Sequence, residues 1–174
     1  TELSMGYAVS ELVSSAGWKL RTLFRTRRFY TDADLIVLYK AHLLSYLEYR
    51  TPAIYHATRV VISRLDAVLN RFLRDVGADD VTALVKFHLA PLSTRRDIAM
   101  LGLIHRTVLG KGPSQFTDFF RRDPQHSTKL VDPRASSRSA LIKRSALGLV
   151  AIYNLLPHKV VCVKSVSAFQ KGCL

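Results

Sequence analysis

Val61-Ile62-Ser63-Arg64-Leu65-Asp66-Ala67-Val68-Leu69-Asn70-Arg71-Phe72-Leu73-Arg74-Asp75-Val76-Gly77 is the stretch on which the fold turns. Val61, Leu65, Val68, Leu69, Phe72 and Val76 recur at three- and four-residue steps, the spacing that gathers side chains on one face of an α-helix. Arg64, Arg71 and Arg74, seven and three residues apart, fall on another face. A basic helix face beside few acids suits solvent and a nucleic-acid backbone equally well. Gly77 stops the helix, since glycine takes the left-handed conformation that helix ends favour.

The same period extends to both sides. Over about 3–25, Val9, Leu12, Val13, Ala16, Leu20, Leu23 and Phe24 line one face of a first helix, whose end carries Lys19, Arg21, Arg25, Arg27 and Arg28. Cations there complement the negative end of the helix dipole, so capping accounts for part of that cluster. Thr31-Asp32-Ala33-Asp34 offers an N-cap with acids in the first turn, and Leu35, Leu38, Tyr39, Leu43, Tyr46 and Leu47 carry a second helix to about Tyr49. Pro52 interrupts it, because proline disfavours helical geometry in the residue before it. Past Gly77 a shorter fourth helix is expected over 81–88. A fifth begins at Pro91, with Ile98, Leu101, Ile104 and Val108 inside and Gly110 after it. Strict apolar-polar alternation is almost absent, so the expected fold is all-α, a bundle of about five helices over 1–120.

Gly110 to Gly112, with Pro113, mark a turn before Phe116-Thr117-Asp118-Phe119-Phe120. The composition then becomes basic and rich in Ser and Pro without an apolar period, which reads as a basic linker or loop over 121–139. A small C-terminal appendage follows over 140–174, with an apolar run, a break at Pro157 and an amphipathic stretch around Val166 and Phe169.

The 174 residues suffice for one domain, or for a domain and a smaller appendage. An apolar fraction of 48% and a mean hydropathy of +0.10 belong to a chain that folds. Lys and Arg number 26 against 13 Asp and Glu, a formal charge of +13. Such an excess seeks phosphate in a nucleic acid or an anionic membrane surface, and charge alone does not choose between them. The longest apolar stretch, 146–156, is broken by Asn154 and falls far short of the roughly 20 residues of a spanning helix. The basic stripes also lack the apolar face of an interfacial helix, so no membrane role is expected. No basic-then-apolar leader opens the sequence, so no secretory signal is expected, and the absence of an initiator Met suggests a fragment or a processed chain. Cys162 and Cys173 make no disulfide scaffold, which fits a reducing, intracellular compartment. The charge is uneven: five basic and two acidic residues in 1–30, eleven and nine in 31–120, ten and two in 121–174.

Motifs that would carry catalysis are weak. Gly77-Ala78-Asp79-Asp80-Val81 pairs two aspartates, which hold a divalent ion only with help from a third carboxylate and from substrate phosphates. The pair follows a helix stop and precedes another helix, so it reads as an N-cap and a first-turn acid. His42, His56, His88, His105, His126 and His158 stand at no site-defining spacing from Cys, Ser, Asp or Glu, and read as satisfied or surface histidines. Gly110-Lys111-Gly112 lacks the strand and spacing of a phosphate loop. Tyr39, Tyr46, Tyr49 and Phe72 fit core packing better than stacking on bases. No catalytic residue, metal or cofactor is therefore expected.

Four pieces of the chain carry a resemblance. Leu38-Tyr39-Lys40 precedes Leu47-Glu48-Tyr49; Arg71-Phe72-Leu73-Arg74 rides on the apolar stripe of 65–77; Pro91-Leu92 precedes Arg95-Arg96-Asp97 and Leu101. Tyr153-Asn154-Leu155-Leu156-Pro157 then precedes Ser165-Val166-Ser167-Ala168-Phe169. In this order they resemble the region after the catalytic palm in LINE-type, non-LTR retrotransposon reverse transcriptases, the Jockey-like lineages above all. Tyr153 departs from the family's usual Trp, and palm, fingers and endonuclease are missing from this sequence.

The resemblance implies a thumb-side segment that is not itself an enzyme, although its parent would be an RNA-directed DNA polymerase. It implies that Arg25, Arg27, Arg28, Arg64, Arg71 and Arg74 hold the phosphates of RNA, DNA or an RNA-DNA hybrid. Upstream polymerase domains or a larger complex would be partners, and the setting nuclear or cytoplasmic. The alternative is a basic helical interaction or structural module in a ribonucleoprotein or other assembly, derived from a retroelement. That reading starts from the missing catalytic half and from the apolar C-terminal piece, which would need a partner to cover it.

Overall fold

The computed structural model describes residues 5–132 and 140–173, without the side chains of 140 and 141. The start of the first expected helix and the end of the expected linker, 133–139, lie outside the described residues. The described residues are 72% helical with one small two-stranded hairpin, so the fold is all-α. The chain divides into two compact units, 1–95 and 96–174, where the sequence reading drew its boundary after residue 120.

In the first unit, α1 (Met5–Arg25) buries Val9, Leu12, Ala16 and Leu20. A capping box opens α2 (Asp32–Tyr39): the Asp34 amide donates to Thr31 Oγ1 at 3.2 Å, and the Thr31 amide donates to Asp34 Oδ2 at 3.1 Å. The helix then runs through a π-helical turn, Lys40–Leu44, into α3 (Ser45–Glu48), so one long helix is expected from the sequence and a widened one is found. Pro52 does more than interrupt. It sits in the first turn of α4 (Thr51–Ile54), where its missing N–H leaves no hydrogen bond unmade.

α5 (Arg59–Val76) carries the decisive stripe, with Leu65, Val68, Leu69, Phe72, Leu73 and Val76 buried. It ends in a Schellman motif: Gly77, at φ +75°, donates to the Arg74 carbonyl at 3.1 Å, and Ala78 donates to the Leu73 carbonyl at 3.0 Å. α6 (Asp80–Phe87) starts from Asp79, whose Oδ1 accepts the Thr82 amide at 2.9 Å, so the aspartate pair serves as cap and first-turn acid. α1 and α5 lie side by side and point the same way. Arg64 reaches Ser10 near their beginnings, and the Phe24 and Phe72 rings lie 6.0 Å apart near their ends. At the centre Tyr39 and Phe72, both fully buried, stack with centroids 4.2 Å apart.

α7 (Leu92–Val108) begins at the boundary, and from Arg96 onward it belongs to the second unit. There the first part of the stretch read as linker or loop, 122–130, forms an antiparallel hairpin, β1 (Arg122–Asp123) and β2 (His126–Leu130). Its strands are too short and too irregular in register for alternation to announce them. The Asn154 amide finishes the ladder: Nδ2 donates to the Leu130 carbonyl at 2.8 Å, and Oδ1 accepts the Leu130 amide at 2.7 Å. α8 (Ala140–Arg144), α9 (Val150–Leu155), α10 (His158–Val161) and α11 (Val166–Gly172) complete this unit. Val150, Tyr153 and Phe169 are fully buried, whereas Ile152 and Leu155 of the same C-terminal apolar stretch are exposed.

Candidate nucleic-acid interface

The six arginines named from the sequence all lie in the first unit and all are exposed. Arg25 sits in the last turn of α1, and Arg27 and Arg28 in the 3-10 turn Arg27–Phe29 that follows. Arg71 and Arg74 occupy the end of α5. Because the two helices run the same way, their C-terminal ends meet, and Arg27 Nη1 donates to the Asp75 backbone carbonyl. Five arginines separated by some fifty positions in the chain thus gather at one end of the unit. Arg64 stands apart: it lies two turns earlier on α5, roughly 10 Å along the axis, and donates to Ser10 Oγ at 3.2 Å.

Helix C-terminal ends carry a partial negative charge and unsatisfied carbonyls, so cations belong there on electrostatic grounds alone. Arg27 does this work for α5, and also approaches Asp32 at 3.5 Å. Arg71 Nε stands 3.9 Å from Asp75 Oδ2. Both pairs are exposed, and such pairs are worth ~0–1 kcal/mol. Either arginine can therefore exchange its carboxylate for a phosphate at little cost. Arg25, Arg28 and Arg74 make no ion pair with any described residue, although Arg28 lies 4.7 Å over the Phe29 ring.

The residues that carry the resemblance are mostly engaged elsewhere. Glu48 accepts from Arg95, with Nη2 to Oε2 at 3.2 Å and a close Nε contact, so the Leu-Glu-Tyr and Arg-Arg pieces are joined by an ion pair. Lys40 Nζ donates to the Phe87 carbonyl. Tyr39 lies beneath this pair, and burial, followed by the Glu48 charge, pushes its hydroxyl well above the usual phenol range. In the second unit Tyr153 and Phe169 flank His105. These groups hold the fold, while the six arginines stay exposed.

Of the aromatics read as core, Tyr39 and Phe72 are buried and Tyr46 is half-buried under Lys19, but Tyr49 is 83% exposed. Sequence reasoning passed over Phe29 and Tyr30, which are exposed next to Arg27 and Arg28 in the chain, and Trp18, which is exposed on α1 two turns before Arg25. The available signal was that Trp18 falls outside the apolar stripe of α1. Among the described residues no group of three His, Cys, Asp or Glu gathers to hold a metal. Cys162 Sγ lies 3.4 Å from His158 Nε2, a pair on one helical turn. No helix among the described residues is long and apolar enough to cross a membrane. No protein-family model, curated protein or solved structure matches the chain.

Proposed function

We propose that the chain is a non-catalytic nucleic-acid clamp, the duty that its resemblance to the thumb side of LINE-type reverse transcriptases implies. The observation that supports it best is the gathering of Arg25, Arg27, Arg28, Arg71 and Arg74 at the shared end of α1 and α5, three of them without a carboxylate partner among the described residues. Guanidinium groups held on a packed helical support bind the sugar-phosphate backbone by charge and bidentate hydrogen bonds, with little sequence preference. RNA, DNA or an RNA-DNA hybrid would be the partner. The rival reading, a structural module in a larger assembly, keeps the support of Ile152 and Leu155, which stay exposed although Val150, Tyr153 and Phe169 are buried. The test is a gel-shift titration of the whole chain and of its R71E/R74E variant on two duplexes of unrelated sequence. The variant is expected to bind both about tenfold or more weakly, and by equal factors, as loss of phosphate contacts requires. Unchanged affinity, or a loss confined to one sequence, would overturn the clamp.

A further inference from the structure

A groove of about 660 Å³ lies between α1 and the segment formed by α2 and the π turn. Its walls include Trp18, Lys19 and Thr26 on one side and Tyr30, Leu38 and His42 on the other. Trp18 is 64% exposed and Tyr30 45%, so both rings offer surface to a ligand. The π turn Lys40–Leu44 contributes His42 and Leu43, and such turns widen a helix at the place where a groove is needed. Among the described residues, no acidic one lines it. Two of its lining residues, Thr26 and Tyr30, flank Arg27 and Arg28 in the chain, so this part of the groove adjoins the turn that carries two of the clustered arginines.

We infer that this groove receives unpaired bases of a nucleic acid whose backbone is held by the arginines, with Trp18 and Tyr30 as stacking surfaces. The inference rests on the backbone-clamp reading and adds to it a specificity for single-stranded ends over blunt duplex. The chemistry selects this occupant. An exposed aromatic pair in a groove lined by no carboxylate accepts a flat π-face of any base, and the arginines of the adjoining turn accept the phosphates that accompany it. The volume lies within the ~300–1,000 Å³ of pockets that enclose small organic groups.

Trp18 is the one tryptophan of the chain, which makes the site its own reporter. The whole chain is titrated with a blunt duplex, with the same duplex bearing a short single-stranded overhang, and with a matched overhang lacking its bases. Only the base-bearing overhang is expected to quench Trp18 fluorescence, and it should bind roughly 5- to 100-fold more tightly than the abasic one, the range of base-aromatic stacking. Trp18→Leu, at an exposed position, should abolish that preference and keep blunt-duplex affinity, and Tyr30→Ala should weaken the quenching. Equal binding of the base-bearing and abasic overhangs with unaltered fluorescence would overturn the groove assignment and leave the clamp standing. A change of Trp18 emission on dilution of the chain alone, as a second copy seated in the groove would produce, also overturns it. Failure of all three duplexes to bind removes the clamp, and the groove assignment with it.

Discussion

His105 has both ring nitrogens committed. Nε2 lies 2.7 Å from the Val163 carbonyl, which can only accept, so Nε2 carries the proton and Nδ1 accepts from the Tyr153 hydroxyl at 3.0 Å. Burial pushes Tyr153 up to about 12, which keeps that hydroxyl protonated and able to donate. Burial is also the largest cause of the lowered His105 value; the Val163 carbonyl opposes it and the Arg122 charge adds to it. An unfolded histidine titrates near ~6.5, so below that the unfolded chain takes up the proton before the folded one does. Stability that is complete above that value is therefore lost as pH falls from there toward the folded value. The thermal midpoint should drop between pH 7.5 and 5, and His105→Gln should flatten that dependence; a wild-type midpoint that rises on acidification would refute this assignment. The sequence placed His105 among satisfied histidines, and so it is. Its partners lie 48 and 58 positions away, beyond the reach of any spacing rule.

At the level of elements, α5 shows how much of a helix is written locally. Its stripe, its stop and the cap of α6 were all legible, because each depends on neighbours within one or two turns. Gly77 isolates one of these local terms. A Cβ there would meet no atom within 4 Å, yet φ is +75°, so a substitution costs backbone strain and nothing else. Gly77→Ala should lower the stability by about 1–2 kcal/mol, the left-handed penalty for an L-residue. Gly77→Asn should cost less, because asparagine tolerates that region. Urea denaturation reads this as a lower midpoint at unchanged slope; equal midpoints for the three proteins would show that the Schellman turn is unstrained by a side chain. The π turn Lys40–Leu44 and the hairpin of 122–130 were not legible. The first keeps the apolar spacing of an α-helix nearly intact, and the second is completed by Asn154, far along the chain.

For the whole molecule the deciding quantity is where +13 net charges are placed. Each phosphate neutralised on B-form DNA contributes about −0.9 to the slope of log K against log salt. If the five arginines at the shared end of α1 and α5 each engage one phosphate, that slope is about −4 to −5. Replacing Arg71 and Arg74 by glutamate should make it shallower by about 2 or more. Binding measured over a salt series checks both values, and a slope near zero would exclude counterion release as the driving force. Arg64 should contribute less than the others, as it stands about two turns away and is bound to Ser10.

Periodicity, caps and composition were enough to establish an all-α chain with a basic surface, because helices are specified by contacts three and four residues apart. Arg64, Arg71 and Arg74 could be placed off the apolar stripe for the same reason, and Arg25, Arg27 and Arg28 at the end of the first helix. Their gathering into one patch depends on α1 and α5 lying parallel, and the pairing of Glu48 with Arg95 likewise depends on packing. So do the exposure of Trp18 beside the π turn and the division of the chain near residue 95. Such contacts join residues tens of positions apart. They are selected by how whole faces fit together in three dimensions, which no local pattern in the chain encodes.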